Sequence, residues 1–213
     1  MEQSVFINRI REALSKHGTA EEAEVLGRAR RAPVKLDLTP EQKVERFTAE
    51  MALLNVKVER VPDWAQARQA VAAAMQTRGF KNIAVAGRDL EPNGTAWAAF
   101  GRAKGLTAVE QADAGVVQAD YGIAETGSSV VLASPDKPRI AFLLPPVLYL
   151  ALEISKILGS MPDLMAVLEG LNDKGILPAT VNVITGPSRT ADIELSLTVG
   201  VHGPGEVYLT LVG

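Results

Sequence analysis

Cysteine is absent from this sequence, and histidine occurs only at His17 and His202. The first absence excludes disulfides, thiolate nucleophiles and cysteine-ligated zinc or iron–sulfur clusters within the chain. The second argues against a multi-histidine metal site, so no metal ligands are expected here, with carboxylate-bound magnesium left open. A charge excess is missing too: 22 basic residues face 25 acidic ones, for a net charge of −3. That balance gives no electrostatic reason to expect nucleic acid or an anionic membrane as partner. Nor is there a long hydrophobic run. The longest, Ile140 to Leu152, is split by Pro145-Pro146 and falls short of the ~20 residues of a membrane helix; it reads as a core segment. The first residues carry charge from Glu2 onward and lack the apolar stretch of a signal peptide. A cytoplasmic protein without a membrane span is expected.

What is present suits a globular α/β chain. The hydrophobic fraction of 47% is ordinary and allows a sizeable core. Phe6, Ile10 and Leu14 repeat at helical spacing, and Gly18 follows as a stop. Arg28, Arg30 and Arg31 then gather before Pro33, either as a contact for an acidic partner or as a solvated charge cluster. Residues 1–38 are read as a helical arm with its connector, and 39–213 as the α/β domain.

That domain opens on Thr39-Pro40-Glu41-Gln42, where Thr39 can cap, Pro40 suits the first helical position and Gln42 completes a capping box. Val44, Phe47, Met51 and Leu54 make one apolar stripe, and Val56 and Val58 then alternate with charge as in a strand. Asp63 can cap a helix carrying Trp64, Ala67, Val71 and Met75, stopped by Gly79. Ile83 to Ala86 reads as a buried strand, and Trp97 and Phe100 as part of another helix. This alternation predicts a mostly parallel sheet flanked by helices. Further strands are expected at Tyr121–Ala124, Ser129–Ala133, Ile140–Leu144, Val181–Thr185 and Glu206–Val212, with a helix from Met161 to Lys174. The alternation of Ile193, Leu195, Leu197 and Val199 favours a strand, with a short helix at Ala191–Leu195 as the other possibility.

Three loops stand out: Ala124-Glu125-Thr126-Gly127-Ser128-Ser129, Thr185-Gly186-Pro187-Ser188-Arg189-Thr190-Ala191-Asp192, and Gly200-Val201-His202-Gly203-Pro204-Gly205. Glycine lets backbone approach a ligand closely, and free amides with hydroxyls make an anion cradle. Ser188, Arg189 and Thr190 add a positive charge and two hydroxyls, a set suited to carboxylate or phosphate. Thr126, Gly127, Ser128, Gly186 and Asp192 complete the candidate binding set. None of the loops is a standard phosphate fingerprint, and a turn-only explanation stands beside the binding one. Glu125 is a candidate general base or covalent nucleophile, or else a carboxylate bonded to loop amides. His202 is a candidate proton shuttle or anion donor, or else a turn histidine bonded to backbone.

The segments Ala119 to Gly127, Gly186 to Glu194 and Gly200 to Pro204 closely resemble the lactate-utilisation (LUD) domain, and more narrowly the lactate utilisation protein C family. The likeness is dense from Ala119 onward and diffuse before it. It implies a fold like the NagB/RpiA/CoA-transferase-like group. It also implies a place in a system oxidising L-lactate to pyruvate, with iron–sulfur clusters in partner subunits and none in this chain. Within that reading the chain either binds a small organic acid anion or supports the redox subunits. The alternative, by fold analogy, is an acyl- or CoA-transferase-like enzyme using Glu125 as nucleophile.

Overall fold

The capping residues read from the sequence set the first helix. Thr39 Oγ1 accepts from Gln42 N at 3.3 Å, and Gln42 Oε1 accepts from Thr39 N at 2.9 Å. Helix α1 (Pro40–Leu53) follows and buries Phe47 and Met51. Each such side chain contributes roughly 1.5–3 kcal/mol when fully buried. The structure, a computed structural model, describes residues 36–90, 96–191, 197–200 and 202–213. The arm expected over residues 1–38 lies almost wholly outside the described residues, as does Asp192.

Strand β1 (Lys57–Val61) leads into α2 (Trp64–Thr77), whose cap Asp63 accepts from Gln66 N at 2.8 Å. Then come β2 (Asn82–Ala86), β3 (Gly101–Arg102), α3 (Leu106–Glu110), β4 (Ala114–Gln118), β5 (Tyr121–Ile123) and β6 (Ser128–Leu132). The short α4 (Ile140–Leu143) precedes β7 (Val147–Glu153), β8 (Ile157–Leu158) and α5 (Met161–Asp173). The remainder is β9 (Val181–Ile184), β10 (Arg189–Ala191), β11 (Leu197–Val199) and β12 (Glu206–Val212).

Six strands form a parallel sheet in the order β1-β12-β7-β4-β2-β3, bearing out the mostly parallel sheet expected from the sequence. Parallel sheets are covered on both faces, so their strands read as continuous apolar runs. Strand β7 illustrates this. Leu148, Leu150 and Leu152 enter one core with Phe47 and Met51 of α1, while Val147, Tyr149 and Ala151 enter another with Val71 and Met75 of α2. A second sheet, β8-β5-β6-β9, turns Val131 toward the α1 side and packs Ile123 and Val130 on Leu164 of α5. Strands β10 and β11 pair as a separate antiparallel hairpin. No helix among the described residues is long and apolar enough to cross a membrane.

Two local readings are corrected. Ile140–Leu144 is not a strand: Ile140–Leu143 is helix α4, and the strand starts after Pro146. The two prolines separate them, because proline has no N–H to carry the helical hydrogen-bond ladder onward. Trp97 and Phe100 lie in turns rather than on a helix; both are buried, and Trp97 Nε1 donates to the Leu90 carbonyl at 2.8 Å.

The strand order has a reversal. From β2 the chain runs outward to β3, whereas from β4 it runs the other way, to β7 and later β12. The carboxyl ends of β2 and β4 therefore flank a crevice of the kind where open α/β sheets take ligands.

Candidate functional site

The first glycine-rich loop is pressed against the last turn of α1. Gly127 has φ +60°, and a Cβ there would stand 2.7 Å from Glu50 Cβ and 2.8 Å from Met51 N. Thr126 Oγ1 and Ser128 Oγ are 2.7 Å apart, and Ser128 Oγ is 2.8 Å from Thr185 Oγ1 in the second loop. The buried Ser129 Oγ has no hydrogen-bond partner among the described residues. Glu125 faces the start of α5 instead. Its N–H donates to the Gly159 carbonyl at 3.0 Å, and its Oε2 accepts from Met161 N at 3.0 Å. The first amides of a helix lack intrahelical partners, and a carboxylate satisfies one of them while meeting the positive end of the dipole.

The second and third loops are tied to each other. Ser188 N donates to the Pro204 carbonyl at 2.8 Å, and Gly200 N donates to the Ser188 carbonyl at 2.9 Å. Thr190 is in register with Thr198 across the β10–β11 hairpin. Gly186, at φ +91°, sits against Leu54, and the exposed Arg189 donates through Nη2 to the Leu54 carbonyl at 3.4 Å. Gly127, Gly186 and Arg189 thus lie against the end of α1, with Thr126 and Ser128 bonded beside Gly127, Ser188 held to the third loop and Glu125 turned away toward α5. His202 is exposed, and no hydrogen bond engages it among the described residues.

Beside this cluster, at the amino ends of β1 and β12, a cleft of about 380 Å³ is lined by Asn55, Lys57, Arg189, Glu206 and Tyr208, among others. Its carboxylate is already engaged. Arg78 reaches Glu206 with Nη1 at 2.8 Å and Nη2 at 2.9 Å, and Tyr208 donates to it at 2.7 Å. The Arg78 bond, then the Tyr208 bond, hold the Glu206 carboxyl below its usual range. The same hydrogen bond to Glu206, with burial, pushes the Tyr208 phenol up. Tyr208 stacks on Tyr149 with centroids 4.8 Å apart, and the Lys57 ammonium lies 5.9 Å from the Tyr208 ring centroid. Lys57 and Arg189 are the cations this cleft offers to an anion.

A larger cleft, about 560 Å³, opens at the carboxyl ends of β2 and β4. Sequence reasoning did not single it out. Gly87 ends β2 at φ +126°, where a Cβ would lie 2.3 Å from Gln118 Cβ. This close approach lets Gln118 Nε2 donate to Asp89 Oδ2 at 2.7 Å, while Gln118 Oε1 accepts from Asp89 N at 3.0 Å. Asp120 Oδ2 accepts from Leu132 N at 2.8 Å, and its Oδ1 takes the ammonium of the buried Lys137. Ser134 donates to Asp136 at 2.7 Å. That bond, then the loop backbone, Lys137 and Arg88, hold the Asp136 carboxyl below its usual range against the opposing effect of burial. The sequence signals were present: a glycine ending a predicted strand before Arg88-Asp89, and the polar turn Ser134-Pro135-Asp136-Lys137. Among the described residues no group of three or more histidine, cysteine, aspartate or glutamate side chains is arranged to hold a metal ion.

Known proteins are similar to this chain. A protein of Neisseria meningitidis serogroup B is 31% identical over 189 residues, covering 73% of this chain and 78% of its own. YkgG of Escherichia coli K12 is 39% identical over 123 residues, 57% of this chain and 53% of the relative. Lactate utilization protein C of Bacillus licheniformis is 37% identical over 109 residues, 51% of this chain and 45% of the relative. The matched part thus spans about half the length of the last two. The crystal structure of a DUF162 family protein from Deinococcus radiodurans has the same fold, with a TM-score of 0.60 at 16% identity over 83% of this chain and 99% of that one. The model of the LUD domain matches residues 44–212, which take in both sheets and all three glycine-rich loops, and the chain belongs to the LUD domain family.

Proposed function

We propose that this chain is a component of a lactate utilisation system and that it binds a small organic acid anion in the cleft beside α1. The relatives called lactate utilization protein C support the first part. One observation carries the second: Lys57 and Arg189 line a cleft whose carboxylate, Glu206, is already held by Arg78. In this reading Arg189 is the main anchor, because its planar fork can hold a carboxylate through two parallel bonds. Redox chemistry belongs to iron–sulfur partner subunits, since a chain without cysteine has no thiolates for a cluster. The uptake of the Glu125 carboxylate by Met161 N favours binding over acyl transfer through Glu125.

Calorimetric titration of L-lactate, pyruvate and phosphate against wild type and Arg189→Lys tests the site. The lysine keeps the charge and loses the fork, so binding is expected to fall about tenfold, the size of one charged hydrogen bond. Should Arg189 only brace the Leu54 carbonyl, the variant would melt earlier and bind equally well. Failure of both proteins to bind any of the three would overturn the anion site. Co-purification from the native host with iron–sulfur subunits tests the assembly.

A further inference from the structure

The large cleft at the β2–β4 reversal is not used by the reading above. We propose that it is a second ligand site, built for a nucleotide-like molecule: a hydroxyl-bearing organic phosphate joined to a flat apolar ring. Its position is the first reason. In open α/β sheets the crevice where strand order reverses is the recurrent ligand position, and here that crevice is an open cleft of about 560 Å³. The volume lies within the range of small-molecule and cofactor pockets, roughly 300–1,000 Å³. A three-carbon acid would leave most of it empty.

The lining is the second reason, because it has two unlike ends. One end carries Arg88, Asp89, Gln118, Asp136 and Lys137. The other carries Leu132, Leu171, Ile176 and Pro178. Ile176 is 62% exposed, an apolar side chain left open to solvent on the rim of a cavity.

The third reason is which groups at the polar end still have bonding capacity. Both Asp120 oxygens are taken, by Leu132 N and Lys137. The Gln118 amide is turned onto Asp89. Lys137 keeps ammonium protons beyond the one given to Asp120, and the exposed Arg88 guanidinium makes no hydrogen bond among the described residues. These two cations suit a phosphate. Among the described residues no hydrogen bond engages Asp89 Oδ1, and the Asp136 carboxylate keeps acceptor capacity beyond Ser134 and its own backbone; carboxylates call for donors. A simple acid gives them nothing. A sugar hydroxyl donates to them while its phosphate meets the cations, and a base ring covers the apolar end.

AMP is the probe, compared by calorimetry with adenosine, which lacks the phosphate, and ribose 5-phosphate, which lacks the ring. AMP is expected to bind wild type, with each fragment at least about tenfold weaker. Arg88→Gln should weaken AMP about tenfold, and Ile176→Ser by several-fold. Both positions are exposed, so both variants should fold, which their thermal melts check. Saturating L-lactate, directed at the other cleft, should leave AMP binding unchanged, so the outcome is separable from the fate of the lactate reading. Absence of AMP binding to wild type, or equal AMP binding by wild type, Arg88→Gln and Ile176→Ser, would overturn the proposal.

Discussion

Replacing Gly127 by alanine should be among the most damaging single-methyl additions in the domain. Two costs add at this position. The backbone is left-handed at φ +60°, which costs a side-chain-bearing residue about 1–2 kcal/mol. The new Cβ would also press on Glu50 Cβ at 2.7 Å and Met51 N at 2.8 Å. Those atoms belong to α1, whose Met51 is fully buried, so the helix cannot swing aside freely. Overpacking of this kind costs about 1–3 kcal/mol. The sum, about 2–5 kcal/mol, is a large share of a typical folding free energy of ~5–15 kcal/mol. Two other glycines separate the contributions. Gly79 has φ +72° with nothing within 4 Å of a Cβ, so alanine there should show the backbone cost alone. Gly170 lies inside α5 with open space around it, so alanine should stabilise by about 0.5–1 kcal/mol. Urea unfolding at equilibrium, with midpoints compared at constant slope, reads all three. If Gly127→Ala proves no more destabilised than Gly79→Ala, the claimed packing against α1 is wrong.

Other consequences are equally accessible. Glu125→Gln keeps an acceptor for Met161 N and should unfold near the wild-type midpoint, whereas Glu125→Ala should lose about 1 kcal/mol as a lost helix cap; loss of lactate-dependent function in the stable glutamine variant would instead assign Glu125 a chemical role. The depressed Glu206 carboxyl gives a pH prediction. Its contribution to stability is present above the ordinary glutamate value of about 4.3 and is lost as pH falls through its lower folded value. The gap in urea midpoint between wild type and Glu206→Gln should therefore narrow on acidification and, the pair being half exposed, shrink with added salt. A gap that stays constant across that window would refute the Arg78–Glu206 assignment.

The parts of the fold legible in the sequence are those specified by local chemistry. The capping box at Thr39 and Gln42, the aspartate cap at Asp63 and the glycine stop at Gly79 each act through bonds within a few residues. One misread stretch was Ile140 to Glu153, where periodicity carries no information. Val147 to Leu152 are all buried, so the strand shows no alternation, and α4 before it is a single turn. Strand β4 escaped notice because it opens on Ala114-Gly115, residue types depleted in strands, and holds only two β-branched residues, Val116 and Val117. Gly115 lies so close under the Ala141 carbonyl that a Cβ would approach to 2.1 Å. The glycine-rich loops could be named in advance because their residues are contiguous. The larger cleft could not, because Asp89, Gln118 and Lys137 come from three separate segments and meet only once β2 and β4 are paired.

The place of β12 in the sheet bears on how the protein can be made. Strand β1 is the second element of the domain, yet among the described residues its single neighbour in the sheet is β12, near the far end of the domain. During synthesis β1 must wait, with α1 and α2 already emerged, until nearly everything between has been translated. Closing so long a loop carries an entropic cost before any contact repays it, and such topologies fold slowly. The waiting intermediate would expose the β7 edge that β12 later covers, an open strand of apolar residues. Chaperone demand and aggregation during expression should therefore be governed by β12, and substitutions in Leu209 or Leu211 should reduce soluble yield more than their effect on the finished fold alone would imply.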